Sequence, residues 1–107
     1  MTRRVYILLM TVAIGVRAQD LRHVAEPVFP PVCTSLTAGN SWPVHEDRAD
    51  TPRIQAALDG CGAGRAVELK STGTEDSFLS GPLFLRKGVT LMVTSGTTLY
   101  ASRNPRD

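Results

Sequence analysis

The sequence predicts an all-β parallel solenoid opened by an amphipathic helix, and three observations carry that expectation. From Val67 onward the apolar residues alternate in short runs, Val67 and Leu69, Leu83 and Leu85, Val89, Leu91 and Val93, then Leu99, as half-buried strands require. The runs recur: Val67 to Val89 and Leu69 to Leu91 are each 22 residues apart, and Leu79 to Leu99 is 20. A return every 20–25 residues is the repeat of a coil that stacks the same strand position once per turn, with aliphatic ladders inside. The helix, at about 51–60, stands just before the first of these strands and covers an end whose backbone edge and apolar interior would otherwise face water. The pattern leaves open an α+β domain in which this helix packs on one sheet face.

The chain has 107 residues, enough for one compact unit. Its beginning reads as a leader: Arg3 and Arg4 precede an apolar run from Val5 to Val16, and Val16-Arg17-Ala18 suits signal peptidase. As a helix that run would rise only about 18 Å, short of a hydrocarbon core of roughly 30 Å, so no stable membrane anchor is expected. Residues 1–18 are therefore assigned to a signal peptide cleaved near Ala18, and the mature protein to a secreted, extracellular or periplasmic, location. The 12 Lys+Arg of the whole chain include Arg3, Arg4 and Arg17, so the mature chain sets 9 of them against 10 Asp+Glu. A net charge near zero gives no electrostatic footprint for nucleic acid or an acidic membrane.

Residues 19–49 hold Pro27, Pro30, Pro31 and Pro43 and little periodicity, and read as an extended wrapping segment of strand and loop. Residues 50–107 read as the cap helix and first coils. Asp50 or Thr51 suits a helix N-cap, Pro52 the first turn, and Ile54, Ala57, Leu58 and Cys61 fall at i, i+3, i+4 and i+7. Gly60 to Gly64 are placed to close that helix in left-handed conformations. In an oxidising compartment Cys33 and Cys61 are expected to pair, tying the wrapping segment to the cap; two unrelated buried thiols are the alternative. Closing that loop is worth about 3–4 kcal/mol by loop entropy.

Local motifs for chemistry fail on inspection. Gly60-Cys-Gly62-Ala-Gly64-Arg65 has Arg where a dinucleotide loop needs its third glycine, and it follows a helix rather than a strand. His45-Glu46 lacks the second histidine of a zinc pair, since Ala49 stands there, and neither cysteine has a CxxC partner. No metal or cofactor is expected. Asp47 and Asp50, or Glu75 and Asp76, could supply paired carboxylates, yet each lies in a polar stretch where a solvated surface or a cap is the default. Arg86-Lys87, Arg103 and Arg106 sit at turns, where they are either solvated or positioned to meet an acidic polymer.

Taken together, Asp50-Thr-Pro-Arg-Ile-Gln-Ala-Ala-Leu-Asp-Gly-Cys61, Phe78-Leu-Ser-Gly-Pro-Leu-Phe-Leu85, Gly88-Val-Thr-Leu91 and Gly96-Thr-Thr-Leu99 resemble the N-terminal part of glycoside hydrolase family 28, the polygalacturonases, over about residues 31–107. The resemblance implies a secreted, right-handed, single-stranded parallel β-helix, monomeric at full length, that hydrolyses α-1,4-linked galacturonate in pectin by inversion. An inverting glycosidase needs an acid and a base carboxylate about 6.5–9.5 Å apart. In the family these come from an Asn-Thr-Asp motif and an Asp-Asp pair, with a Gly-His-Gly histidine and an Arg-Ile-Lys clamp beside them. None of the four is present; the nearest fragment, Arg53-Ile54-Gln55, lies in the helix and ends in Gln. No catalytic residue is therefore assigned, and pectin or a related acidic polysaccharide is expected to be met through later coils. The expectation is a front end that is inactive and unstable alone. A non-catalytic exported module that binds acidic polysaccharide, or a small structural exported domain, is the alternative.

Overall fold

The computed structural model describes residues 23–107, and the leader assigned to 1–18 lies outside the described residues. Five strands and one helix follow in the order β1 (Val32–Thr37), α1 (Thr51–Gly60), β2 (Ala66–Lys70), β3 (Ser77–Ser80), β4 (Thr90–Val93) and β5 (Thr98–Ala101). They form two sheets, β1-β2-β4 and β3-β5, and every strand pair is parallel. After β2 the chain crosses to give β3 to the second sheet, returns as β4 beside β2, and crosses again as β5 beside β3. Each circuit thus adds one strand to each sheet.

Two details of this stacking differ from the sequence expectation. The first is β1, which lies inside the segment read as a wrapping arm and pairs in parallel with β2, Leu36 opposite Leu69. Its only large buried-side aliphatic is Leu36, and its register is broken between Val32 and Thr34, so it shows almost no alternation to read. The second is the register. Val67 stands opposite Leu91 and Leu69 opposite Val93, a period of 24 rather than 22; Phe78, not Leu79, stands opposite Leu99, a period of 21. The slip of two keeps the same face inward, whereas the slip of one exchanges faces. The true repeat of the first sheet is marked by glycines: Gly64 and Gly88, also 24 apart, both turn at positive φ (83° and 76°), and the Gly64 N–H donates to the Gly88 carbonyl at 2.7 Å. A Cβ at Gly88 would sit 3.0 Å from the Ala63 Cβ.

The core lies between the sheets and the helix. Ile54 and Leu58 are buried with Ala38, Cys61, Val67, Leu69 and Phe78, while Leu83, Val89, Leu91 and Leu99 pack against them half-buried. Leu85 and Val93, expected to point inward, are 65% and 41% exposed. Leu85 runs into the turn before Gly88, and Val93 ends β4, the outer strand of its sheet. Leu79 and Tyr100, in register with each other, lie on the face of the second sheet opposite to Phe78 and Leu99.

The free edge of β3 is covered by Asn40 and Asp50, and the helix then holds the segment that follows β3 by a run of polar contacts. Asn40 exchanges backbone hydrogen bonds with Ser77, its N–H donating at 3.2 Å and its carbonyl accepting at 2.8 Å. The Asp50 N–H donates to the Leu79 carbonyl at 2.7 Å, and the Asp50 carboxylate accepts the Leu79 N–H at 2.9 Å. Thr51 Oγ1 accepts the Gly81 N–H at 2.8 Å. Gln55 then uses both ends of its amide on one residue, accepting the Phe84 N–H at 2.8 Å and donating to the Phe84 carbonyl at 3.0 Å. Asp59 closes the series against Arg86 at 2.7 Å. Thr51, Gln55 and Asp59 are spaced i, i+4, i+8, one stripe of the helix, so a polar stripe holds the segment from Gly81 to Arg86 while the neighbouring apolar stripe fills the core.

This arrangement corrects two capping expectations. Asp50 occupies the N-cap position, but its carboxylate serves Leu79 and the Arg53 guanidinium, at 2.8 Å, and makes no bond to a helix N–H. At the other end, Gly60 is the last helical residue and Cys61 leaves in an extended conformation; the positive φ belongs to Gly64, at the turn into β2. Cys33 of β1 and Cys61 form a disulfide across a separation of 28, with Cα atoms 5.9 Å apart.

Candidate functional site

The residues weighed for chemistry in the sequence do not converge. Asp50 is buried and committed to Arg53 and Leu79, and Asp76 accepts the Ser77 hydroxyl at 2.8 Å. Asp47 is exposed, and the Glu75 backbone closes a turn with Thr72. His45 is exposed and donates its backbone N–H to Asn40 Oδ1. Among the described residues no three His, Cys, Asp or Glu side chains are grouped to hold a metal ion. Arg86 is held by Asp59, whose carboxyl is pushed below its ordinary value by the Arg86 hydrogen bond first and by Gln55 second. Lys87 and Arg106 are exposed. Cys33 and Cys61 lie together at the junction of β1 with the helix end.

One surface does gather side chains suited to recognition, and it lies on the outer face of the second sheet. Trp42 is 63% exposed, yet its position is fixed, because its ring packs on Tyr100 of β5 with centroids 5.4 Å apart and planes tilted by 34°. The loop that carries it is fastened by Asn40, which is buried: the Asn40 amide donates to the Arg48 carbonyl at 3.2 Å and accepts the His45 N–H at 3.4 Å. Beside Trp42, a shallow concavity of about 190 Å³ is bounded by Pro43, Val44, Glu46 and Arg103. Glu46 accepts a hydrogen bond from the Arg103 N–H at 3.3 Å and lies 3.4 Å from the Ser102 hydroxyl, whose closer partner is the Asp107 carboxylate. Of these residues the sequence reading weighed Glu46, with His45, only for zinc, and singled out Arg103. Trp42, Tyr100 and Asn40 escaped it, since residues from 40 to 103 meet here only through the fold.

Comparison with known proteins settles the family. No protein-family profile matches the chain. The chain is, however, 46% identical over 99 residues to a polygalacturonase of Ralstonia solanacearum, covering 79% of this chain and 19% of that protein. It is 45% identical over 89 residues to an endo-polygalacturonase of Pectobacterium carotovorum subsp. carotovorum, covering 83% and 20%. The solved polygalacturonase from Erwinia carotovora ssp. carotovora superposes with a TM-score of 0.65 at 42% identity, over 82% of this chain and 21% of that one. The chain belongs to the polygalacturonase family. It spans about a fifth of the length of the curated polygalacturonases that it matches. Identity at this level over about four-fifths of the chain, with a structural match of similar extent, agrees with the parallel-strand architecture.

Proposed function

We propose that this chain is the N-terminal part of a secreted glycoside hydrolase that cleaves α-1,4-galacturonosyl linkages in pectin by inversion. The carrying observation is the 42–46% identity to polygalacturonases over about four-fifths of the chain. In this reading residues 50–107 are the cap and first coils of a right-handed, single-stranded parallel β-helix, and residues 19–49 lead into it and add β1 as a rung of its first sheet. The role of this segment is structural: the helix seals the stack, and the parallel strands β4 and β5 are the template on which further coils are laid. The acid and base carboxylates of the inverting reaction lie on other coils, since none of the family's four catalytic motifs occurs in the sequence.

Secretion is part of the same proposal. It is supported by the Arg3-Arg4 and Val5 to Val16 pattern and by a disulfide between Cys33 and Cys61. Among the described residues no helix is long and apolar enough to cross a membrane. The full-length protein is proposed to act as a monomer on pectin or a related acidic polysaccharide. The test is to incubate the secreted product of the gene with polygalacturonate and follow the anomeric protons of the new reducing ends by NMR. Inversion of the α-linkage predicts that β-anomers appear first. First-formed α-anomers would refute inversion, and no new reducing ends would refute the hydrolase reading.

A further inference from the structure

Burial does not account for Trp42. It takes no part in the hydrophobic core, and 63% of it faces solvent. An exposed indole is normally a cost, here maintained by two devices: the ring rests on Tyr100 at 5.4 Å, and the loop behind it is pinned by the Asn40 side chain. A rigid aromatic plate of this kind loses little entropy when a ligand lies on it. Next to the plate stands Arg103, whose guanidinium forms no salt bridge among the described residues, and Glu46, whose carboxylate accepts the Arg103 N–H.

We propose that Trp42, Glu46 and Arg103 form a binding site for a uronic-acid saccharide, on the flank of the strand stack rather than at its end. The apolar face of one sugar ring lies on the Trp42 indole. Its carboxylate takes the Arg103 fork, which matches a planar carboxylate with two parallel N–H donors. Ring hydroxyls donate to the free Glu46 oxygen. The site draws all its groups from between residues 42 and 103, on the outward side of the second sheet. It gives the protein a hold on its polymer separate from the site of bond cleavage. The choice of a uronate as the anion rests on the pectin-acting reading; the stacking and the fork do not.

The experiment is hydroxyl-radical footprinting of the secreted gene product, read by mass spectrometry at Trp42, with trigalacturonate and with neutral maltotriose as probes. The expected result is that trigalacturonate cuts Trp42 oxidation by more than half, in a saturable way, and maltotriose does not. Arg103→Ala is expected to raise the half-protecting concentration by about tenfold while leaving sugar-free Trp42 oxidation at the wild-type level. If Arg103→Ala also loosens the loop, sugar-free oxidation rises, and Arg103→Lys then decides: it keeps the charge, loses the fork, and should weaken protection severalfold. Absence of protection, equal protection by maltotriose, or undiminished protection in both variants overturns the proposal. Reducing-end release on the same preparation separates the two readings. Hydrolysis without protection refutes this site alone, and protection without hydrolysis refutes the hydrolase alone.

Discussion

Gln55 shows how much one side chain settles. Its amide meets the N–H and the carbonyl of Phe84 at once, so it presents to the irregular segment after β3 what a paired backbone residue would present. Gln55→Glu keeps the acceptor, loses the donor and places a second carboxylate four residues before Asp59. The expected loss is about 1–2 kcal/mol, read as a lower urea midpoint of the secreted protein. Asp50 carries more, because it is buried and serves both Leu79 and Arg53. Asp50→Ala strands the Leu79 N–H and removes the partner of a cation that lies 5.2 Å from the Phe78 ring, so about 2–3 kcal/mol should be lost by the same measurement. Asp59 is different in kind. Its folded value is depressed by Arg86 and Gln55, so its contribution is present at neutral pH and is lost as pH falls through that lowered value. A carboxyl-carbon NMR titration should place Asp59 below an ordinary aspartate, and Arg86→Ala should return it most of the way.

At the level of elements, the helix and the strands at β2, β4 and β5 were legible as local patterns, an apolar stripe at helical spacing and short aliphatic runs, whereas the run at Leu83 and Leu85 forms no strand and β3, buried at all four residues, shows no alternation. The register was not legible, since valines and leucines recur at several spacings and nothing local says which pair will stack. Gly64 and Gly88 would have given it, had positive-φ corners rather than aliphatics been aligned. This makes a comparison between two glycines informative. Gly88→Ala meets both a left-handed backbone and the Ala63 Cβ at 3.0 Å, and should cost about 1–3 kcal/mol. Gly62→Ala has open space and no positive φ, and should be neutral within about 0.5 kcal/mol. Thermal melts of the two variants side by side check the corner assignment. The flank site stayed hidden for a further reason: Trp42 and Tyr100 belong to different elements, and only the parallel stacking of β5 on β3 brings the tyrosine under the loop.

For the whole molecule, the sequence carried the family and the parallel-strand architecture, and on the proposed reading the chemistry of bond cleavage belongs to further coils. Asn-Thr-Asp, Asp-Asp, Gly-His-Gly and Arg-Ile-Lys do not occur in the sequence, and the chain spans about a fifth of its curated relatives. Three rungs in one sheet and two in the other are near the lower limit for a stable solenoid, and β4 and β5 each have one edge unpaired among the described residues. A 19–107 segment made alone should therefore self-associate and unfold without a sharp transition; cooperative melting of a monomer in the calorimeter would contradict this. The measurement that bears most directly on the central claim is sequencing of the transcript and genomic DNA through and beyond the codon for Asp107. The account predicts a frame that continues into further coils bearing Asn-Thr-Asp, Asp-Asp, Gly-His-Gly and Arg-Ile-Lys. A stop codon immediately after Asp107, with the short product secreted intact, would contradict it.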